Sequence, residues 1–196
     1  LPEDMLVATS GAEPCGPLVI PEPAPSAADI EGITERLAAA ERPVILLGGT
    51  RWQDGSARAV EAFASANDVP VVAAFRFHDI IDNGCPAYVG DAGVAMNGYM
   101  KTLLREADLI LAVNIRFGEL TTDGYSLFTV PRMAATLIHS HASDDEIGKV
   151  YTPDLPVHAG PNAMAAALAT IDLPHNASRT TWCGTARADY LASLTA

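Results

Sequence analysis

Short apolar segments that end in turn residues recur along the chain and alternate with segments of helical periodicity. The first is residues 44–47, four consecutive apolar residues that are followed by Gly48 and Gly49. A strand that is apolar on both faces must be covered on both sides, which is typical of a parallel sheet between two helix layers. This pattern constrains the fold more than any other feature of the sequence.

The alternation continues to the end of the chain. Further strands are predicted at residues 70–75, 109–113, 135–139 and 155–159, and helices at residues 26–41, 57–67, 97–107, 162–171 and 186–194. Ser26 with Asp29 has the pattern of a capping box, and Ser143 with Glu146 predicts the start of another short helix. Strands that alternate with helices predict an α/β fold with a doubly wound parallel sheet.

Composition excludes several classes of protein. Apolar residues make up 49% of the chain and charged residues 18%, which excludes intrinsic disorder. A formal charge of −12 excludes a nucleic-acid surface. The apolar runs are too short to span a membrane, and the scattered Cys15, Cys85 and Cys183 form no zinc or disulfide framework. We therefore expect a soluble, cytoplasmic protein.

The first 25 residues differ from the rest of the chain. They carry six prolines and little periodicity, which predicts an extended linker. The chain starts with Leu1 and not with an initiating Met, and it shows no targeting segment. We expect it to be part of a longer protein.

Candidate binding residues follow the strands, because ligands of open α/β sheets bind beyond the carboxyl ends of the strands. Gly48-Gly49-Thr50 follows the first strand, and matches neither a dinucleotide fingerprint nor a P-loop. It is either a tight turn that needs positive φ or a point of close approach for a ligand. Arg116, after the 109–113 strand, either holds a phosphate or an adenine, or pairs with Glu119 or Asp123.

No catalytic or metal site is predicted. His139 and His141 share one face of a strand, but a metal would need a third ligand, and no carboxylate lies at a suitable spacing. The run Gly90–Gly93 differs from a magnesium-diphosphate motif at Ala92 and in the spacing to Asn97. The sequence also contains no Gly-x-Ser-x-Gly nucleophile elbow.

Taken in order, these segments resemble the central domain of thiamine-diphosphate-dependent enzymes, in the acetolactate-synthase-like branch. The resemblance is carried by residues 40–49 (AERPVILLGG), 88–91 (YVGD), 107–111 (ADLIL), 116–117 (RF) and 139–151. It implies a three-layer Rossmann-like fold of the DHS-like NAD/FAD-binding type with about six strands. Residues 1–25 would leave a preceding pyrimidine-binding domain, 26–172 would form the central domain, and 173–196 would lead to a diphosphate-binding domain.

The resemblance implies that the chemistry lies elsewhere in the full-length enzyme. Thiamine diphosphate and magnesium would bind between the other two domains, with the activating glutamate in the first and the metal motif in the third. The expected partners are those N- and C-terminal domains and further copies of the chain, and no cofactor is expected in this domain unless it binds FAD or ADP.

A nucleotide crevice is implied by position. Members that bind FAD hold it with the glycine turn after the first strand, the arginine after the third and acidic residues after the fourth, which places Gly48, Gly49, Thr50, Asn114, Arg116, His141 and Ser143 around the crevice. This chain has His141 and Ser143 where acetolactate synthases have two aspartates, and Asn114 where they have glycine.

Three functions remain open from the sequence. The first is a non-catalytic structural domain of an enzyme that decarboxylates and ligates 2-keto acids, and the second is an FAD- or ADP-binding module within such an enzyme. The third is an NAD-dependent deacylase of the sirtuin-like branch, which would require a zinc ribbon that the three cysteines do not provide.

Overall fold

The fold is taken from a computed structural model that describes residues 2–13, 15, 16, 18 and 20–195. Its helices are α1 (Glu3–Leu6), α2 (Ala27–Ala39), α3 (Asp54–Ala66), α4 (Gly98–Glu106), α5 (Pro161–Leu168) and α6 (Ala177–Ser193). Its strands are β1 (Pro43–Leu47), β2 (Val71–Ala74), β3 (Tyr88–Ala92), β4 (Leu109–Val113), β5 (Thr136–His141) and β6 (Leu155–His158), and a single 3₁₀ turn spans Asp144–Glu146.

The six strands form one sheet in the order β3-β2-β1-β4-β5-β6, and every neighbouring pair is parallel. The order reverses between β1 and β4, whose last residues, Leu47 and Val113, lie side by side. The predicted α/β fold with a doubly wound parallel sheet of about six strands is confirmed. In such a sheet the carboxyl ends of the two strands at the reversal form the edges of the ligand crevice.

Both faces of the sheet are buried, as the continuous apolar strands predict. In β1, Ile45 and Leu47 pack in the cluster that α2, α3 and α5 cover, whereas Val44 and Leu46 pack in the cluster that α4 and α6 cover. Successive side chains of a strand point to opposite faces, so an all-apolar strand supplies both cores. The result is three layers, with the sheet in the middle.

Most predicted elements lie within a few residues of their observed positions, but β3 was not predicted from the periodicity. Gly90 and Asp91 interrupt its apolar pattern, Gly90 has φ +110°, and the pairing with β2 shifts register between Val71 and Ala73. Glycine and aspartate have low β-propensity. An edge strand such as β3 tolerates these residues because its backbone pairs with a neighbouring strand on one side only.

The last helix begins nine residues earlier than the sequence pattern predicts, at Ala177 and not at residue 186. The Asn176 side chain caps it by accepting hydrogen bonds from the backbone N–H groups of Ser178 and Arg179. Its buried side chains include Cys183 and Ala186, and Ala186 packs in the same apolar cluster as α4. A one-turn helix, α1, also lies within the segment predicted as an extended linker.

The two predicted helix starts have different outcomes. The capping box at Ser26 and Asp29 is confirmed, with both reciprocal hydrogen bonds present. A short helix does begin after Ser143, which stands at the N-cap position, but it is one 3₁₀ turn and the Ser143 side chain makes no capping hydrogen bond. Glu146 does not reach back to the cap, because its carboxylate bonds to cationic side chains.

Candidate functional site

The glycine turn after β1 and the residue after β4 meet at the point where the strand order reverses. Gly48 continues the pairing of β1 with β4, since its N–H donates to the carbonyl of Val113 at 3.2 Å. On the β4 side, the N–H of Asn114 donates to the carbonyl of Ser140 in β5 at 2.7 Å. The backbone on both sides of the crevice is therefore fixed by the sheet.

The side chain of Asn114 fills the turn after β1. Asn114 is 5% exposed, and its Nδ2 donates to the carbonyl of Thr50 at 3.0 Å and to that of Gly48 at 3.4 Å. Gly49 has φ +68°, and a Cβ at this position would overlap the Asn114 amide. The glycine thus provides the positive φ of a tight turn and also the space that the amide of Asn114 occupies.

Arg116 lies on the surface beyond β4 and is held by one ion pair. Its side chain is 71% exposed, and Nη2 donates to Oε1 of Glu146 at 2.7 Å. Lys149 donates to the same oxygen at 2.9 Å. The hydrogen bond from Arg116, followed by that from Lys149, lowers the pKa of Glu146 to about 2, so this carboxylate remains charged under all ordinary conditions.

The sequence offered Glu119 or Asp123 as partners of Arg116, and both choices are wrong. Arg116 pairs with Glu146, thirty positions along the chain, and Asp123 pairs with Lys101 of α4 at 2.7 Å. A partner so far along the chain comes close only because β4 and β5 are neighbours in the sheet, so charge counting over a few residues could not identify it.

His141 and Ser143 stand at the carboxyl end of β5. Nδ1 of His141 lies 3.0 Å from the backbone nitrogen of Ser143 and 3.1 Å from its carbonyl oxygen, so either tautomer of the ring makes one hydrogen bond to the Ser143 backbone. Burial lowers the pKa of His141, whereas the hydrogen bond that the ring can donate to the Ser143 carbonyl and, after it, the charge of nearby Glu146 oppose that effect. The hydrogen bond between the His141 ring and the Ser143 backbone thus stabilises the bend after β5.

His139 is a buried polar residue for which the sequence predicts no metal-binding role. It is 2% exposed, and its Nε2 lies 3.0 Å from the carbonyl oxygen of Ile115, so Nε2 carries the hydrogen. Its Nδ1 has no hydrogen-bond partner among the residues that the structure describes. The ring packs edge-on against Phe117. Burial lowers the pKa of His139, which keeps the imidazole neutral near pH 7.

The candidate residues therefore form two groups. Gly48, Gly49, Thr50 and Asn114 form one hydrogen-bonded turn between β1 and β4. On the other side of β4, Arg116 bonds to the Glu146 carboxylate, whose charge also acts on His141, and His141 bonds to the backbone of Ser143. The Asn114 amide of the first set bonds within the protein, and Arg116 of the second set is paired with Glu146.

A cavity of about 350 Å³ opens at the β1 turn, next to β2, and two of the predicted site residues, Gly49 and Thr50, are part of its lining. Its lining includes Arg51 and Arg76 together with Asp54 and Asp79. The two cations and the two carboxylates balance, so the cavity has no excess of positive charge for a phosphate.

The comparison with known families decides what kind of domain this is. A family described as "Thiamine pyrophosphate enzyme, central domain" matches residues 30–168, from within α2 to the end of α5. The chain belongs to this family. The acetolactate-synthase-like resemblance of the sequence is confirmed, because acetolactate synthases are among its relatives.

Three curated relatives of this central domain illustrate its range. Glyoxylate carboligase of Escherichia coli O157:H7 is 28% identical over 87% of this chain and 29% of its own length. The large subunit of acetolactate synthase isozyme 2 of Escherichia coli (strain K12) is 25% identical over 86% of this chain and 30% of its own. Sulfoacetaldehyde acetyltransferase of Rhodobacter capsulatus is 26% identical over 86% of this chain and 28% of its own length. The chain thus spans less than a third of the length of these relatives.

Among the residues that the structure covers, no three His, Cys, Asp or Glu side chains are grouped so that they could hold a metal ion. Within the same residues, no helix has the length and apolar character needed to cross a membrane.

Proposed function

We propose that the chain is the non-catalytic central domain of a thiamine-diphosphate-dependent enzyme that decarboxylates a 2-keto acid and joins the product to a second carbonyl compound. The family match supports the domain assignment, and the names of a carboligase and an acetolactate synthase among its relatives support the reaction class. Thiamine diphosphate supplies the electron sink for such chemistry when it is bound.

The role of this chain in that enzyme is to act as a scaffold. Its sheet is buried on both faces, and the Asn114 side chain bonds to the turn after β1, which favours a rigid body between its neighbours. The partners we propose are the enzyme's own N- and C-terminal domains and a second copy of the enzyme, in the cytoplasm. The match to the central domain of a multidomain enzyme, and relatives more than three times as long as the matched segment, support these partners.

One observation favours the scaffold over an FAD- or ADP-binding module. The Asn114 amide lies inside the turn from Gly48 to Thr50, where a nucleotide diphosphate would have to approach the backbone. An FAD diphosphate therefore does not fit this turn as it stands, and we assign no cofactor to the domain.

The catalytic part of the proposal is tested by comparing the isolated chain with the full-length protein that contains it. With thiamine diphosphate and magnesium, we expect the full-length protein to release CO₂ from pyruvate or glyoxylate, and the 196-residue chain to release none. Turnover by the isolated chain, or a full-length protein that binds thiamine diphosphate yet turns over neither 2-keto acid, would contradict the proposal.

The second test concerns the crevice. Saturating FAD or ADP should leave the melting temperature of the wild-type chain unchanged, whereas a bound ligand would raise it by several degrees. Asn114→Gly removes the obstructing amide, and its backbone at φ +55° suits glycine. A wild-type chain that is stabilised by either nucleotide would favour the binding module.

A further inference from the structure

The chain contains two Asn-Gly pairs, Asn83-Gly84 and Asn97-Gly98, and both are exposed to solvent. Asparagine before glycine is the pair in which a backbone nitrogen attacks the preceding side-chain amide most easily, because glycine has no Cβ to hinder the approach. Since the reacting residues are the same in both pairs, a difference in their reactivity comes mainly from how the fold holds them.

Asn97 and Gly98 stand at the start of α4. Asn97 is the residue before the helix, and its Oδ1 accepts a hydrogen bond from the backbone N–H of Tyr99 at 3.3 Å. Among the residues that the structure describes, neither the N–H of Gly98 nor the Nδ2 group of Asn97 has a hydrogen-bond partner. A Cβ at Gly98 would meet nothing within 4 Å. Hydrogen bonds in the described part of the chain therefore restrain neither the attacking nitrogen nor the departing amine.

Asn83 and Gly84 are held at both of the corresponding groups. The N–H of Gly84 donates to Oδ1 of Asp82 at 2.8 Å. The Asn83 side chain lies 3.0 Å from the carbonyl oxygen of His78 and 3.2 Å from that of Ile81, so its amide nitrogen donates to both. The nitrogen that would attack and the amine that would leave are thus both engaged.

Arg187 of α6 restrains the backbone of the same pair. Its Nη1 donates to the carbonyl of Asn83 at 3.2 Å, and its Nη2 lies 3.4 Å from the carbonyl oxygen of Gly84. Rotation of this peptide into a reactive geometry would break these bonds as well as those of the side chain. The fold therefore opposes the reaction at Asn83.

We propose that Asn97 is a site of spontaneous deamidation in the folded protein and that Asn83 is protected. The backbone nitrogen of Gly98 forms a bond to Cγ of Asn97 and loses its proton, and the bond from Cγ to the side-chain nitrogen breaks with release of ammonia. Water then opens the resulting succinimide ring at either carbonyl, which leaves aspartate or isoaspartate at position 97. Water is the co-reactant of the whole sequence.

The two products act differently on α4. Aspartate keeps an oxygen for the N–H of Tyr99 and adds a negative charge at the helix N-terminus, which is favourable. Isoaspartate carries the backbone through the former side chain, so the capping geometry is lost. The N–H of Lys101 donates to the carbonyl of Asn97 at 3.1 Å, and Nζ of Lys101 pairs with Asp123 at 2.7 Å. Isoaspartate therefore loosens the helical turn that holds this ion pair.

Peptide mapping by mass spectrometry, after incubation of the 196-residue chain at mildly alkaline pH, tests the proposal. We expect Asn97 to be converted at least about fivefold faster than Asn83, because hydrogen bonds must break before Asn83 can react. In Gly98→Ala the conversion of Asn97 should slow at least about tenfold, because the new Cβ hinders the attacking nitrogen. Gly84→Ala is the matched control and should leave Asn97 at its wild-type rate.

Two further measurements separate the fold from the local sequence. In urea, where the chain is unfolded, the rate at Asn83 should rise toward that at Asn97, because both pairs are then free. In folded Asp82→Ala the N–H of Gly84 loses its acceptor, and the conversion of Asn83 should become faster. Equal rates at the two sites in the folded chain, or the same ratio of rates with and without urea, would overturn the proposal. None of these measurements involves turnover, so their outcome is independent of the proposed enzyme function.

Discussion

At the scale of single residues, the turn after β1 depends on Gly49 and Asn114 together. Gly49 has no side chain and adopts positive φ, and the Asn114 amide fills the space that this leaves. Asn114 itself has φ +55°, a conformation that asparagine tolerates better than most residues. The turn is therefore a matched pair and not simply a flexible glycine loop.

Gly49→Ala should break this pair. The alanine would be strained at φ +68° and would push the Asn114 amide away from the Thr50 carbonyl, so we expect a loss of about 3 kcal/mol in the free energy of unfolding, measured with urea. Gly184→Ala is the control. Gly184 is exposed in α6 with nothing close to its Cβ position, and the same change there should stabilise the chain by about 0.5–1 kcal/mol.

His139 should make the stability of the chain depend on pH. Burial lowers its pKa in the folded state below the ordinary 6.5, so between the two pKa values the unfolded state binds more protons. The contribution of the neutral ring is fully present above pH 6.5 and is lost as the pH falls through the lowered pKa. We expect the free energy of unfolding, measured with urea, to be smaller at pH 5.5 than at pH 7.5.

In His139→Phe the difference in the free energy of unfolding between pH 5.5 and pH 7.5 should shrink. The variant loses the hydrogen bond to Ile115 at both pH values, so this loss does not contribute to the difference. The exposed His175 provides the control, and His175→Gln should keep the wild-type difference. An undiminished pH dependence in His139→Phe would show that other groups, such as His141, carry the effect.

At the scale of elements, α6 is attached to the rest of the domain by a buried arginine. Arg179 is 2% exposed, and its guanidinium donates to the carbonyls of Asn67 at 2.7 Å, Pro174 at 2.6 Å and Leu37 at 3.4 Å. Asn67 follows α3 and Leu37 lies in α2, so one side chain joins the ends of three helices. Five N–H donors on a planar group make arginine suited to this role.

Arg179→Met should leave these carbonyl groups buried without a donor. We expect the free energy of unfolding to fall by about 3 kcal/mol, measured as a shift of the urea midpoint at constant slope. Arg58 is an exposed arginine of α3 without a hydrogen bond or ion pair among the described residues, so Arg58→Met should change stability by less than about 0.5 kcal/mol. Equal effects of the two changes would contradict a structural role for Arg179.

At the scale of the whole molecule, the division of the chain at residue 172 stays a prediction. The family match ends at residue 168, but α6 buries Cys183 and Ala186 against the core and lies next to β3 through the rings of Tyr190 and Tyr88, 5.3 Å apart. These contacts lead us to propose that the folding unit continues through α6.

Truncation after residue 172 tests this. Removing α6 exposes one face of the sheet and removes Arg179, so we expect the melting temperature to fall by about 10 °C or more, or cooperative unfolding to be lost. Calorimetry on both chains gives the answer. A truncated chain that melts cooperatively at the temperature of the parent would place α6 in a linker, as the sequence pattern predicts.

The sequence by itself determined the layers of this protein. Apolar runs such as residues 109–113, separated by helices with apolar faces, allow only a sheet covered on both sides, because each element's pattern reflects its own local burial. It also located the glycine turn and the candidate residues after the strands. The order of the segments was enough to indicate the family.

Only the tertiary structure decided how the edge of the sheet is used. The bond from Asn114 to Thr50 joins residues 64 positions apart, that from Arg116 to Glu146 joins residues 30 apart, and Glu22 reaches Asn162 across 140. No local pattern encodes such pairs, because their geometry depends on which strands become neighbours and where each helix begins. The sequence therefore predicts where a ligand crevice would lie, and the fold determines that the protein's own side chains fill it.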